Sequence, residues 1–214
     1  MASLLAVLKP DPASLKATPY GQYFSAPAGS IAGVSKPLIF FHGGWGKVDA
    51  AASAQWAISK WSPRLVVNIG TAGGFSGRIR EGEIVFATRT IVYDIVERMG
   101  SAQEAIDDYT TELGPPPDSL KEMVHESPII SADQDIDPER IPELLLKYNA
   151  VAADWESASI ARICKKNNVQ VIILRGVSDV VNTSGSRTYG NLQDFETQSR
   201  HLMARLLALL SRVV

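Results

Sequence analysis

The chain has 214 residues, 45% hydrophobic and 21% charged, with 21 Lys and Arg against 23 Asp and Glu for a net charge of −2. That balance describes a single globular domain over residues 1–214 and excludes a disordered or collagen-like chain. It leaves no positive excess for a nucleic acid. One cysteine, Cys164, and three scattered histidines provide neither an internal disulfide nor a Cys- or His-rich metal cluster.

The apolar run Ser3–Leu8 is too short to span a bilayer and carries no basic leader. The expectation is a cytoplasmic protein away from membranes, with no metal and no cofactor. In chain order, Leu4–Leu8 reads as a first strand, stopped by Lys9-Pro10-Asp11-Pro12. Pro37–Phe41 reads as a second strand, followed by the turn Gly43–Gly46 and a helix over Lys47–Lys60 with apolar residues near helical spacing. Arg64–Ile69 reads as a buried strand without alternation, and Gly70-Thr71-Ala72-Gly73-Gly74 after it as a loop. Glu83–Tyr93 is a long strand. Val96–Ser119 is polar and carries Pro115-Pro116-Pro117, which predicts a surface loop or lid.

Beyond it come a strand at Pro128–Ile130, a helix at Arg140–Tyr148, a strand at Ala150–Ala153 and a helix at Ser157–Lys166. The strand Val169–Leu174, a Gly/Ser loop over Thr183–Gly190 and a helix opening at Asn191 complete the chain. Strands alternating with helices predict an α/β domain whose sheet is mixed or parallel and covered on both faces.

Two apparent motifs fail. Gly46-Lys47 lacks the P-loop's first Gly, where Phe41 stands, and its Ser or Thr, where Val48 stands. Gly70-Thr71-Ala72-Gly73 lacks the G-x-G opening of a dinucleotide loop and no helix follows it. His42, alone at a strand end, reads as structural more readily than as a base.

Three segments place polar groups where open α/β sheets bind ligands. Gly70–Gly74 lets backbone amides approach a ligand, and a tight turn explains it equally well. Asp154-Trp155-Glu156 sets a carboxylate beside an aromatic ring, which suits a sugar, although an acid at a helix N-terminus needs no ligand. Arg175-Gly176-Val177-Ser178-Asp179 ends in an acid placed for proton transfer, or for a plain helix cap.

Taken together, these segments resemble the nucleoside phosphorylase/nucleosidase superfamily, nearest to its 5′-methylthioadenosine/S-adenosylhomocysteine nucleosidases. The resemblance runs through Gly44-Trp45-Gly46-Lys47-Val48, Val67–Gly74, Gly82–Val85, Ser131–Ile136, Asp154–Ala158 and Arg175–Asp179. It implies a three-layer α/β/α fold with a mixed central sheet flanked by helices. It also implies hydrolysis of the N-glycosidic bond of a purine nucleoside. In that reading Asp179 is the acid that protonates the purine, with Asp133 next in line. Glu156 grips the ribose hydroxyls and favours the cationic sugar. Trp155 packs on the ribose, and Thr71, Ala72 and Gly73 lie beside it. Arg175 stands near the nucleophile, Ser178 precedes the acid, and Asp135 and Ile136 occupy the positions that touch the base.

The chain departs from the family pattern in having Asp135 for a base-stacking Phe and no Glu after its first apolar run. A phosphorylase using phosphate, or a catalytically reduced nucleoside-binding relative, are the alternatives. The resemblance further implies a homodimer, for which the apolar surface of Gly43–Trp61 would serve.

Overall fold

A computed structural model describes residues 2–182 and 184–214. Its strands form two sheets. The smaller is an antiparallel meander of β1 (Lys16–Thr18), β2 (Gly21–Ala26) and β3 (Leu38–His42). The larger is mixed, in the order β6-β5-β7-β8-β4-β9. Its members are β4 (Leu65–Phe75), β5 (Ile84–Val92), β6 (Thr111–Glu112), β7 (His125–Ser131), β8 (Ala152–Asp154) and β9 (Gln170–Val181). This sheet also closes on itself, because Ile84–Phe86 of β5 pairs antiparallel with Leu174–Gly176 of β9.

Six α-helices complete the described fold: α1 (Ala2–Leu8), α2 (Gly46–Trp61), α3 (Ala102–Tyr109), α4 (Ile141–Tyr148), α5 (Ser157–Lys166) and α6 (Leu192–Leu209). Strand alternation explains the three layers. Ile173 and Val85 enter a cluster with Ala161 of α5, whereas their neighbours Leu174, Ile84 and Phe86 enter another with Leu206 and Leu209 of α6. Helices thus cover both faces of the large sheet. No described helix is long and apolar enough to cross a membrane.

Most expected elements form close to their expected bounds, and the differences have physical causes. The run Leu4–Leu8 is helical. Ala and Leu are the strongest helix formers, and a short apolar run carries no period that separates strand from helix. Leu4 joins Phe24, Phe40, Leu207 and Leu210 in a core shared by α1, α6 and the small sheet.

Gly70–Gly74 is strand, paired along its length with β9 and at Gly73 and Gly74 with β8. Its glycines answer to crowding as well as to any turn. A Cβ on Gly70 would lie 1.9 Å from Nη1 of Arg175, and one on Gly74 within 2.8 Å of Ile79 and Val177. β9 likewise runs seven residues past Leu174, to Val181. The polar stretch 96–119 is partly ordered, holding α3 and β6, and Ser101 caps α3 by accepting from the Glu104 amide. Of the expected 183–190 loop, Thr183 lies outside the described residues, and the rest is irregular, with turns at Ser184 and 187–190 and a bridge from Gly185 to Asn182.

Candidate active site

β4 and β9 lie parallel, and their register slips between Ala72 and Gly73, so that Gly73 faces Asp179 and Ser178 is the extra residue. Such bulges re-aim side chains. Next to it, β8 delivers Asp154 and the start of α5 delivers Glu156 and Ser157. The result is a cavity of about 1690 Å³ into which all ten expected residues open: Thr71, Ala72, Gly73, Asp135, Ile136, Trp155, Glu156, Arg175, Ser178 and Asp179. Small-molecule pockets commonly span roughly 300–1,000 Å³. The surplus volume reaches between β3 and β4, which both line the cavity but belong to separate sheets.

One end of the site is built from fixed charges. Arg175 is buried, and its Nε lies 2.7 Å from Asp154 Oδ2 and donates to Ser157 Oγ at 2.9 Å. Asp154, also buried, accepts from Ser131 Oγ at 2.5 Å and from the Ser157 amide at 3.2 Å. Glu156 Oε2 sits 3.7 Å from Arg175 Nη2, and its Oε1 accepts from the Gly46 amide at 3.2 Å. Burial pushes the Glu156 carboxyl above the usual glutamate range. Asp154 and Asp133 push the same way, against the pull of Arg175 and the Gly46 amide. Among the described residues the buried Arg175 Nη2 has no hydrogen-bond partner, so it has a donor to offer a ligand.

The first turn of α2 is pinned to this end. Asp133 Oδ1 accepts from the Lys47 amide at 2.7 Å, and the Lys47 ammonium pairs with Asp94 and, at 3.8 Å, with Asp133. Two carboxylates therefore face the positive end of the helix. Gly46 takes φ +82°, and a Cβ there would meet Asp133 at 3.0 Å. Asp133 is thus committed to α2. Trp155 stacks on Trp45 with ring centroids 5.0 Å apart, and Trp45 is 73% exposed. Trp56 and Trp61 are half-buried against Phe41.

The other end is built from hydroxyls. Asp179 is buried, with Oδ1 accepting from Ser178 at 2.7 Å and Oδ2 from Ser186. Ser186 lies 3.1 Å from Thr188 Oγ1. Tyr189 closes this end by donating from its hydroxyl to the Ile136 carbonyl at 2.9 Å. Burial, with Asp135 and Asp179 nearby, pushes its phenol up, so it stays neutral. Asp135 is exposed and Ile136 buried.

His42 ends β3 exposed, and the Cys164 thiol, pushed up to about 12 by burial in α5, stays protonated. Among the described residues no three His, Cys, Asp or Glu gather in metal-holding geometry.

Asp154 and Ser157 lie in segments that the sequence singles out but without a role of their own, and Ser186 and Tyr189 carry no signal in it. Asp154 had a signal, since an Arg on a buried strand requires a carboxylate and one stands two residues before Glu156. Ser186 and Tyr189 sit on a loop whose path only the fold defines.

Residues 7–214 match the model of the phosphorylase superfamily. The 5′-methylthioadenosine/S-adenosylhomocysteine nucleosidase of Maridesulfovibrio salexigens is 32% identical over an alignment of 184 positions that covers 78% of this chain and 77% of that protein. Two Helicobacter pylori structures share the fold. The 5′-methylthioadenosine/S-adenosylhomocysteine nucleosidase with butyl-thio-DADMe-Immucillin-A has a TM-score of 0.75 at 18% identity, covering 99% of this chain and 93% of that one. Futalosine hydrolase has a TM-score of 0.75 at 17% identity, covering 100% and 95%.

Proposed function

The chain belongs to the phosphorylase superfamily, and from that premise we propose that it is a nucleosidase hydrolysing the N-glycosidic bond of a purine nucleoside such as 5′-methylthioadenosine or S-adenosylhomocysteine. Glu156 accepts the ribose hydroxyls, and its charge favours the oxocarbenium-like sugar as the bond lengthens. Asp179 protonates a ring nitrogen and so turns the purine into a leaving group. Trp155 covers the sugar face. Thr71 and the Ala72–Gly73 backbone lie beside the sugar, and Asp135 and Ile136 stand at the base. Water held at the free Nη2 of Arg175 attacks the anomeric carbon.

One observation carries water over phosphate as the nucleophile. The buried cation Arg175 already faces two carboxylates, Asp154 and Glu156, and Lys47 faces Asp94 and Asp133. Neither cluster has positive charge to spare for a phosphate dianion. Lys36 and Arg64 also line the cavity, but at the far, N-terminal ends of β3 and β4. The exposed Trp45 and Val48 beside the mouth suit a second copy of the chain, and the active form is a homodimer. Sedimentation at micromolar concentration tests that part, and a monomer would contradict it.

The test of activity is a panel of purine nucleosides incubated with and without phosphate while free base is followed. Release at equal rates in both arms is the expected result. Release that requires phosphate would make the protein a phosphorylase, and no release from any nucleoside would leave the binding relative.

A further inference from the structure

Asp179 must regain a proton in every turnover, and its surroundings differ on its two sides. The Ser178 hydroxyl on Oδ1 is buried, and its other neighbour is the Ala72 carbonyl at 3.4 Å, an acceptor with no proton to give. The Ser186 hydroxyl on Oδ2 is half-buried and leads to Thr188, also half-buried, on the cavity wall beside the partly exposed Tyr189. When Asp179 is ionised its Oδ2 takes the Ser186 hydrogen, and the 3.1 Å contact is then made by Thr188 as donor. The Thr188 amide also donates to Ser186 Oγ at 3.2 Å, which fixes the spacing of the chain. Asp179 itself is 6% exposed, and a substrate in the cavity would cover that remainder.

We propose that Ser186 and Thr188 form a hydroxyl relay that returns a proton to Asp179 after each cleavage. This rests on the reading of Asp179 as the acid. The balance closes within the hydrolysis. The attacking water leaves its oxygen and one hydrogen on the anomeric carbon and releases the other as a proton to solvent. Asp179 gives its proton to the base nitrogen as the glycosidic electron pair departs with the base. Ser186 then passes its hydroxyl proton to Oδ2, takes one from Thr188, and Thr188 is resupplied from solvent. Ser186 and Thr188 touch neither sugar nor base in this scheme. They are positioning and relay residues that act through Asp179, so their loss slows the second turnover more than the first.

The experiment compares single-turnover and steady-state release of adenine from 5′-methylthioadenosine in the parent, Ser186→Ala, Ser186→Thr, Thr188→Val and Asp179→Asn. For Ser186→Ala and Thr188→Val, the ratio of steady-state to single-turnover rate should fall by about tenfold relative to the parent, at the low end of acid–base effects. Ser186→Thr, which keeps a hydroxyl, should restore the ratio. Small weak acids in the buffer should restore it in the Thr188→Val protein as well. An unchanged ratio in Ser186→Ala and Thr188→Val overturns the relay, whether the two rates fall together or not at all. A parent-like single-turnover rate in Asp179→Asn would instead overturn the acid assignment, a different failure read from a different variant.

Discussion

The two ends of the cavity each hold one of the carboxylates of the proposed reaction, and they hold it by opposite means. Glu156 lies in a cluster of formal charges with Arg175 and Asp154, where the guanidinium is a permanent donor that cannot reverse. Asp179 is held by Ser178 and Ser186, hydroxyls that donate or accept as required. In the first setting the guanidinium favours the charged form, against the burial that pushes the Glu156 carboxyl up. In the second a carboxylate can gain and lose a proton without stranding a partner. The proposed division, a charge that steadies the sugar and an acid that releases the base, assigns one role to each setting.

The largest expected effect breaks the charged end. Arg175→Met leaves Asp154 buried and unpaired, and losing one partner of a buried pair costs about 3–5 kcal/mol. Urea unfolding should show that loss, and pairing the change with Asp154→Leu should recover much of it. Retained stability in the single variant would mean that Asp154 is not charged there.

Next comes Glu156→Gln, which keeps the shape and the Gly46 contact but removes the charge. Its turnover should fall by about two orders of magnitude, the scale of one preorganised electrostatic contact. A folded variant with parent turnover would remove Glu156 from the mechanism.

Gly70→Ala is a smaller test of the same end. Its Cβ would meet the Arg175 guanidinium at 1.9 Å, so the fold should lose about 1–3 kcal/mol as the pair is displaced. The same change at Gly100, where a Cβ meets nothing and the backbone is not left-handed, is the control without the clash.

The smallest effect is in pH. Burial raises the folded pKa of Glu156, so folding favours its protonated form. The stability it contributes is full below the ordinary glutamate range and is lost as pH rises through the raised value. Glu156→Gln has no charge to desolvate and should melt roughly 2 °C above the parent at neutral pH. The gap should close as pH falls below the ordinary glutamate range, and a gap that widens there would reverse the assigned shift.

The same contrast explains what was legible in the sequence. The carboxylate–aromatic pair Trp155-Glu156 and the strand-end acid Asp179 could be read from local pattern, and Arg175 from the family resemblance alone. The hydroxyl end depends on a turn that returns Ser186 to a strand seven residues behind it, and local pattern carries no record of such a return. Gly70–Gly74 read as a loop because glycine usually marks a turn. Here it also marks close approach by the Arg175, Ile79 and Val177 side chains. The helix at Ala2–Leu8 was equally hidden, since its partners Phe24, Phe40 and Leu207 are remote in the chain.

The measurement that reaches the central claim most directly is the leaving-group dependence of the two carboxylate variants. Asp179→Asn and Glu156→Gln would be assayed on 5′-methylthioadenosine and on a riboside whose leaving group departs without protonation, such as a nitrophenyl riboside. On the purine nucleoside Asp179→Asn should lose roughly two to four orders of magnitude in turnover. On the activated riboside it should recover nearly all of that loss, while Glu156→Gln remains slow on both because the sugar cation forms in both. Equal losses on the two substrates for Asp179→Asn would show that it does not act on the leaving group, and the division of labour between the two ends would fall.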